Sequence, residues 1–564
     1  MNHSNIKRLL IVFIAITLIS CDRQKTRTEL SQEQKTAIEN LMEVAKIPGI
    51  QVGYFNAEEE FIFSSGFANL GSSLKVADDT PFRANDLGYS VIAAICFRLA
   101  EENQLDLNQT ITTDYLDPRL ATGTYNHLIT YNHLLSHTSG LPIWADTNDV
   151  IEIIQVPGEL WNYSHLGFEW IMRALEAKFN TSIQALADQW VFQPLKITNS
   201  FFGDQKSPKA AVGHDLIGRN RNSDKTNVAI FYTNAGDYMK ILNAFSNDFF
   251  KPETKNIQTQ TLAKVSLWED ETEESLVSWG PGLGIQSGTA GPALWQYSDE
   301  QTMRSFAIVF PQSQTGFVLL TNSENGLAIS KSIAQLFFEE NLAALNWLDF
   351  ESYDHPEWQA RRNLESAFAF RDQEKAQEVY SQILINQPEA LNDALMNNVI
   401  WSFIDRNELN PAERLARLHL ENFPNTANTY IRLGEILGFK SEYIESWESY
   451  QKAMEMDPES SRQIMPRFPW YNEATQAMQE SQELPLALFT GAFENSIVEL
   501  VNDQLTYSDD HYQNAPLKRI GNTLFDLEVA ATYRINFKMK NGQTESLEKS
   551  HLSGERTTES KKSI

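Results

Sequence analysis

Cysteine is nearly absent: of 564 residues, only Cys21 and Cys96 carry a thiol. Cys21 closes a leader described below, so the mature chain keeps one thiol, which excludes an intramolecular disulfide and a cysteine-rich metal site. Cys96 sits in "AAICFRLA", where an apolar helix face raises a thiol's pKa; it is expected to be a small buried hydrophobe. Positive charge is also scarce. Lys and Arg number 46 against 74 Asp and Glu, a net charge of −28. Phosphate binding needs clustered cations, so nucleic acid is set aside as a partner. The zinc-protease helix pattern is missing too. His133 and His137 stand four apart with His127 nearby, but no glutamate follows the first histidine; no metal and no cofactor are expected.

What is present begins with a targeting segment. Lys7 and Arg8 precede the 11-residue apolar run "LLIVFIAITLI", Leu9 to Ile19, which is too short to span a bilayer comfortably. "LISC" then resembles a bacterial lipobox with Cys21 as the lipidated residue. The expectation is a signal peptide over 1–20, a polar tether over 21–30, and an envelope lipoprotein. It would be held at the membrane, periplasmic or surface-facing, by its lipid.

A chain of this length needs two to four cores. From 31 to 345 strands and helices mix: "GIQVGYF" and "EFIFSSGFANLG" read as two strands, "RSFAIVFPQSQTGFVLLTNSENG" as two more, with helices between. That order predicts an α+β domain whose sheet is closed by its two ends. From 356 to 480 only helices are expected, and helix ends recur at Pro388, Pro424 and Pro458, 36 and 34 residues apart. This period, with "YIRLGEILG" and "SWESYQKAMEMDP" as a helix pair, resembles tetratricopeptide repeats, which present a surface for a protein or peptide partner. Residues 485–550 turn to strands, with Asn541-Gly542 as a type I′ hairpin signal. The polar residues 551–564 are expected to be disordered.

Chemistry is concentrated in four stretches. "TPFRANDLGYSVIAA" opens a helix near Asp86, "HLLSHTSGLP" spans His133 to Pro142, "PGELWNYSHLGF" carries Tyr163, and "ALWQYSDEQTMRS" carries Gln296. Together with "IPGIQVGYF", "GFANLG" and "GFVLLTNSENG", and in this order, they resemble the serine β-lactamase and penicillin-binding-protein family in its class C and esterase-like branch, over roughly residues 35–340. The implied fold is multidomain: an α+β β-lactamase/transpeptidase-like domain, then all-α helical repeats, then a small antiparallel β domain.

The resemblance also implies where acyl-transfer chemistry would sit: a serine with a lysine one helical turn on, a Tyr-x-Asn loop, and a His-containing, glycine-rich strand. At the matching positions this chain has Asp86 for the serine, Tyr89 for the lysine, His165 for the asparagine and Gln296 for the histidine; Tyr163 alone is retained. A phenol with a pKa near about 10 is a poor base at neutral pH. An aspartate there reads as a helix N-cap. His165 reads as a wall of the pocket or as a base. "SYQK", Ser449 to Lys452, has the Ser-x-x-Lys spacing but falls inside a repeat helix. Two functional classes remain open. One is an inactive binding or scaffolding module, with Tyr89, Tyr163, His165 and Gln296 around a small-molecule or peptidoglycan-like ligand. The other is a hydrolase of β-lactams, D-amino-acid peptides or esters with a non-standard site.

Overall fold

The computed structural model describes residues 28–562 apart from 122, 124, 146–148, 154, 204–206, 222–229, 266–275, 370–371, 459–472, 475, 478–483, 529–532 and 552–555. The leader and Cys21 lie outside the described residues. Two compact units divide the chain after His355. No helix among the described residues is long and apolar enough to cross a membrane.

The first unit is built on a nine-stranded antiparallel sheet. Third from one edge is Gly49–Phe55, rich in β-branched and aromatic residues and buried along its whole length. Glu60–Asn69 pairs with it on one side and Thr315–Thr321 on the other, with Ile50 opposite Thr321 and Phe55 opposite Gly316. The ends of the unit therefore meet in the sheet, as the strand order in the sequence implies. Met303–Phe310 and Ala293–Glu300 follow outward. Gly284–Gln286 pairs with Ala293–Trp295 on one side and with Val277–Trp279 on the other.

Leu294, Ala307, Val309, Val318 and Leu320 of the sheet share one core with the helix Gly88–Glu101. That helix buries 11 of its 14 residues, which explains why "YSVIAAICF" holds a helix despite its β-branched and aromatic content: burial overrides propensity. Gly88 permits the approach. A Cβ there would lie 2.8 Å from the Cβ of Phe231. Cys96 is fully buried and its thiol pKa is pushed up by burial.

The helix start differs from the sequence reading. A 3₁₀ turn, Asn85–Leu87, precedes the α-helix, whose N-cap position is Leu87, and no side chain caps either element. Asp86 is therefore not an N-cap. Its carboxylate is drawn instead to hydroxyl and imidazole groups from a facing segment.

The second unit starts with three antiparallel helix pairs: Pro356–Ala369 with Gln373–Asn386, Asp393–Asp405 with Leu409–Asn422, and Ala427–Phe439 with Tyr443–Met456. Leu364, Tyr380, Phe403, Leu415 and Leu437 fill their shared core. Three hydrogen bonds join consecutive pairs at one 35-residue separation: Asn392 to Glu357 and Asn428 to Asp393, both 2.7 Å, and Arg432 to Asn397, 2.8 Å. Such a ladder marks successive pairs stacked in nearly the same way.

Eight strands follow, each hydrogen-bonded to its sequence neighbour, around Phe489, Tyr507, Phe525 and Phe537. Asn541 and Gly542 take φ of 51° and 74°, the positive values a type I′ turn requires. The tail reading is corrected here. Arg556–Ser560 is an edge strand paired with the strand Gln543–His551. Polar composition misled because strand pairing is satisfied by backbone groups, and one inward residue anchors the strand. Buried Glu559 accepts from Ser496 Oγ at 2.7 Å and the Asn495 N–H at 3.0 Å. Glu559→Ala is expected to cost about 1–3 kcal/mol of stability in denaturant unfolding, the usual penalty for orphaning buried donors; a disordered tail would show no change.

Candidate functional site

Four side chains from two segments meet at the helix start. Asp86, from the 3₁₀ turn, accepts a hydrogen bond from the Tyr163 hydroxyl at 3.1 Å through Oδ2. Its Oδ1 lies 3.4 Å from His165 Nδ1. Tyr89, three residues after Asp86 along the helix, places its hydroxyl 2.9 Å from the same nitrogen. Asn85, just before Asp86, holds a positive φ of 27° and accepts from Arg83 Nε at 3.1 Å. Backbone in that region costs a non-glycine residue about 1–3 kcal/mol and persists where surrounding contacts fix it.

The facing segment is held by the "HTSGLP" stretch. His137 accepts the Ser164 N–H on Nδ1 at 3.0 Å, its carbonyl accepts the Asn162 N–H at 2.7 Å, and its ring stacks on Tyr163 with centroids 4.3 Å apart. Ser164 caps the helix His165–Phe179 by accepting from Gly167 N–H, and its own hydroxyl donates to Pro142 O. Tyr89 in turn stacks on Phe168 of that helix at 3.9 Å. His133, by contrast, closes a capping box with Thr130, and His127 is exposed in the turn Asn126–Leu128. The i, i+4 spacing of His133 and His137 thus serves two different backbone contacts.

Electrostatics decide what these groups can do. Burial, reinforced by the Asp86 charge, pushes the Tyr89 and Tyr163 phenols well above their ordinary pKa. Both are therefore protonated at neutral pH; Tyr163 donates to Asp86, and the direction of the Tyr89–His165 hydrogen bond follows the protonation of Nδ1. Burial would depress the His165 imidazole, but the charge and hydrogen bond of Asp86, with Glu300 assisting, outweigh it and hold the ring above 6.5. Glu300, at the end of the strand Ala293–Glu300, is raised by burial and by Asp86, with Arg83 and His165 opposing. His137 is fully buried, and desolvation pushes it down to about 3, so it is neutral.

Gln296 lies in the strand Ala293–Glu300. Its Oε1 accepts the N–H of Tyr297 at 3.0 Å and its side chain is buried. Successive strand residues face opposite ways, and the neighbour, Tyr297, brings its ring to 6.1 Å from Tyr163. Sequence comparison by motif position selects Gln296; Tyr297 meets Tyr163, and Glu300, at the strand's end, feels the charges of Asp86 and His165. Glu300 and Asn85 carry no local signal beyond being polar at the end of an apolar strand and the start of a helix. Ser449, of "SYQK", lies in the helix Tyr443–Met456 and donates to Glu445 O.

Because folded His165 binds its proton more tightly than in the unfolded chain, the pair with Asp86 adds stability that is full below about pH 6.5 and is lost as pH rises through the folded-state pKa. In Asp86→Asn the His165 pKa, followed by ring-proton NMR, is expected to fall and this part of the pH dependence of unfolding to flatten. An unchanged His165 titration would remove Asp86 as its partner.

Residues 35–337 match the family model described as Beta-lactamase. Among curated proteins, the chain is similar to Protein flp of Staphylococcus aureus strain MW2, 25% identical over 215 residues, covering 34% of this chain and 43% of that protein. The strain MRSA252 counterpart is 23% identical over 215 residues, covering 34% and 42%. The chain thus spans less than half the length of these relatives. Among solved structures, it is similar to a β-lactamase/D-alanine carboxypeptidase from Pseudomonas syringae (14% identity, TM-score 0.46, covering 54% of this chain and 98% of that one). It is also similar to EstCE1, a hydrolase with promiscuous acyltransferase activity (16%, 0.43, 52% and 96%).

Proposed function

The chain belongs to the β-lactamase family, and from that membership we propose that it is an envelope lipoprotein whose pocket binds a ligand without acylating itself. The observation that carries this reading is the Asp86 carboxylate, engaged by Tyr163 and His165 where the family resemblance puts a nucleophilic serine. A carboxylate that attacked a carbonyl would form a mixed anhydride, which readily expels the carboxylate again. Acyl transfer also needs a base for the nucleophile's proton. The two phenols, raised in pKa, are protonated and unsuited to that task. Concordant replacement at Asp86, Tyr89, His165 and Gln296, with only Tyr163 kept, supports loss of the chemistry over its relocation.

The binding module extends beyond the pocket. The helix pairs of 356–480 are read as tetratricopeptide-like repeats that take a protein or peptide partner. A groove of about 600 Å³ runs between the first two helices, lined by Asn363, Asp372, Lys375, Gln382 and Asn386, groups suited to a peptide backbone. The strands from Gly491 to Ser560 are read as a small β domain. Cys21 would carry the lipid, and the pocket would take a small-molecule or peptidoglycan-like ligand through Tyr89, Tyr163, His165 and Gln296.

One observation favours the rival reading of a hydrolase. Asp86 and His165 form a carboxylate–imidazole pair of the kind that can accept a proton from water. A proton-accepting imidazole must be neutral, however, and this one is held above its ordinary pKa. The test is to incubate the purified protein with an acylating β-lactam and, separately, a phenyl ester, recording intact mass and turnover. No mass gain and no turnover above buffer are expected. A stable adduct, or turnover abolished by Asp86→Asn or Tyr163→Phe, would overturn the binding reading.

A further inference from the structure

Next to Tyr163, four ring nitrogens of one aromatic cluster are buried without a hydrogen-bond partner: His137 Nε2 and the Nε1 atoms of Trp161, Trp279 and Trp295. The rings touch one another. Trp279 lies 5.1 Å from His137, 5.6 Å from Trp161 and 5.2 Å from Trp295, centroid to centroid. Two of these contacts, to His137 and to Trp295, are edge-to-face, at 72° and 74°. Trp347 covers the group, 5.9 Å from Trp161 and 5.8 Å from Trp295. All four nitrogens are donors. Indole offers only an N–H. His137 accepts the Ser164 N–H on Nδ1, so the neutral ring carries its proton on Nε2.

Buried donors without acceptors are rare in native proteins, and each calls for a partner. Four in one cluster, next to the proposed pocket, call for a shared one. We propose that this cluster is a binding subsite for a neutral oxygen acceptor carried on an apolar body, with the indole and imidazole N–H groups as its donors. The aromatic walls take the apolar body, and acceptors align with ring edges, where the quadrupole is positive. A cation is disfavoured because the site offers donors only. An anion is disfavoured because the aromatic walls strip its water and because the Asp86 carboxylate is hydrogen-bonded to Tyr163, which adjoins the cluster. The inference rests on reading the pocket as a binding site.

The test uses the full chain, labelled with ¹⁵N at its indole nitrogens, and four probes of one size: acetophenone, ethylbenzene, benzoate and benzylamine. Trp279→Phe and Trp295→Phe assign the two resonances and keep the rings while deleting the donors. Acetophenone is expected to move the Trp279 and Trp295 N–H signals downfield, saturably, and to bind about tenfold tighter than the other three probes, the scale of one buried hydrogen bond. The Phe variants should bind it no better than ethylbenzene. The proposal fails if ethylbenzene binds as tightly, if either charged probe binds better, or if no probe shifts the signals and the donors hold only water. Should a Phe variant misfold, the comparison among probes on the unaltered chain still decides. An acyl adduct in the β-lactam experiment would overturn the binding reading but leave these equilibrium constants as they stand, so the two failures are separable.

Discussion

One carboxylate organises the first unit's candidate site. Asp86 takes a hydrogen bond from Tyr163 and lies against His165, joining the start of the Gly88–Glu101 helix to the start of the His165–Phe179 helix. A buried charge is tolerated only where partners replace its water, and these partners are themselves fixed. His137 stacks on Tyr163, Phe168 stacks on Tyr89, and Ser164 caps the helix that begins with His165. The same charge sets the protonation of its neighbours. It reinforces the burial that keeps both phenols protonated, and it favours the imidazolium. The proposed loss of acyl-transfer chemistry follows from this: a carboxylate that holds its neighbours' protons leaves no free base.

The scaffold explains how the site proposed for binding keeps its shape. The sheet is closed by its two ends, and the Gly88–Glu101 helix is buried on nearly every face. Asn322, at the end of the closing strand, donates through Nδ2 to Phe67, Ala68 and Val212 carbonyls. None of these contacts depends on a serine, a lysine or a glycine-rich strand. The framework can therefore persist while the residues at the helix start change, and the bulky Trp295 and Tyr297 occupy the strand beside Tyr163.

How much of this the sequence discloses depends on the range of the interaction. Strand alternation, the Asn541-Gly542 turn and the proline-ended helices are local, and each is legible in a dozen residues. The contrasts arise where distant groups compete. Asp86 reads as an N-cap because the neighbouring backbone is all that the sequence displays, whereas residues 77 and 79 positions away claim its carboxylate. The strand Arg556–Ser560 reads as a tail because its stability comes from pairing with Gln543–His551 and from Ser496. Gln296 is chosen by motif position, and its neighbour Tyr297, which the motif does not mark, brings its ring to Tyr163. The tryptophan cluster draws on positions 161, 279, 295 and 347, and no periodicity links them.

The most direct measurement is a crystal structure of the protein soaked with an acylating β-lactam. The binding reading predicts that the Asp86 carboxylate stays within hydrogen-bond distance of Tyr163 and that no side chain carries an added group. Continuous density from Asp86, or from any other side chain, into an opened lactam ring would contradict it.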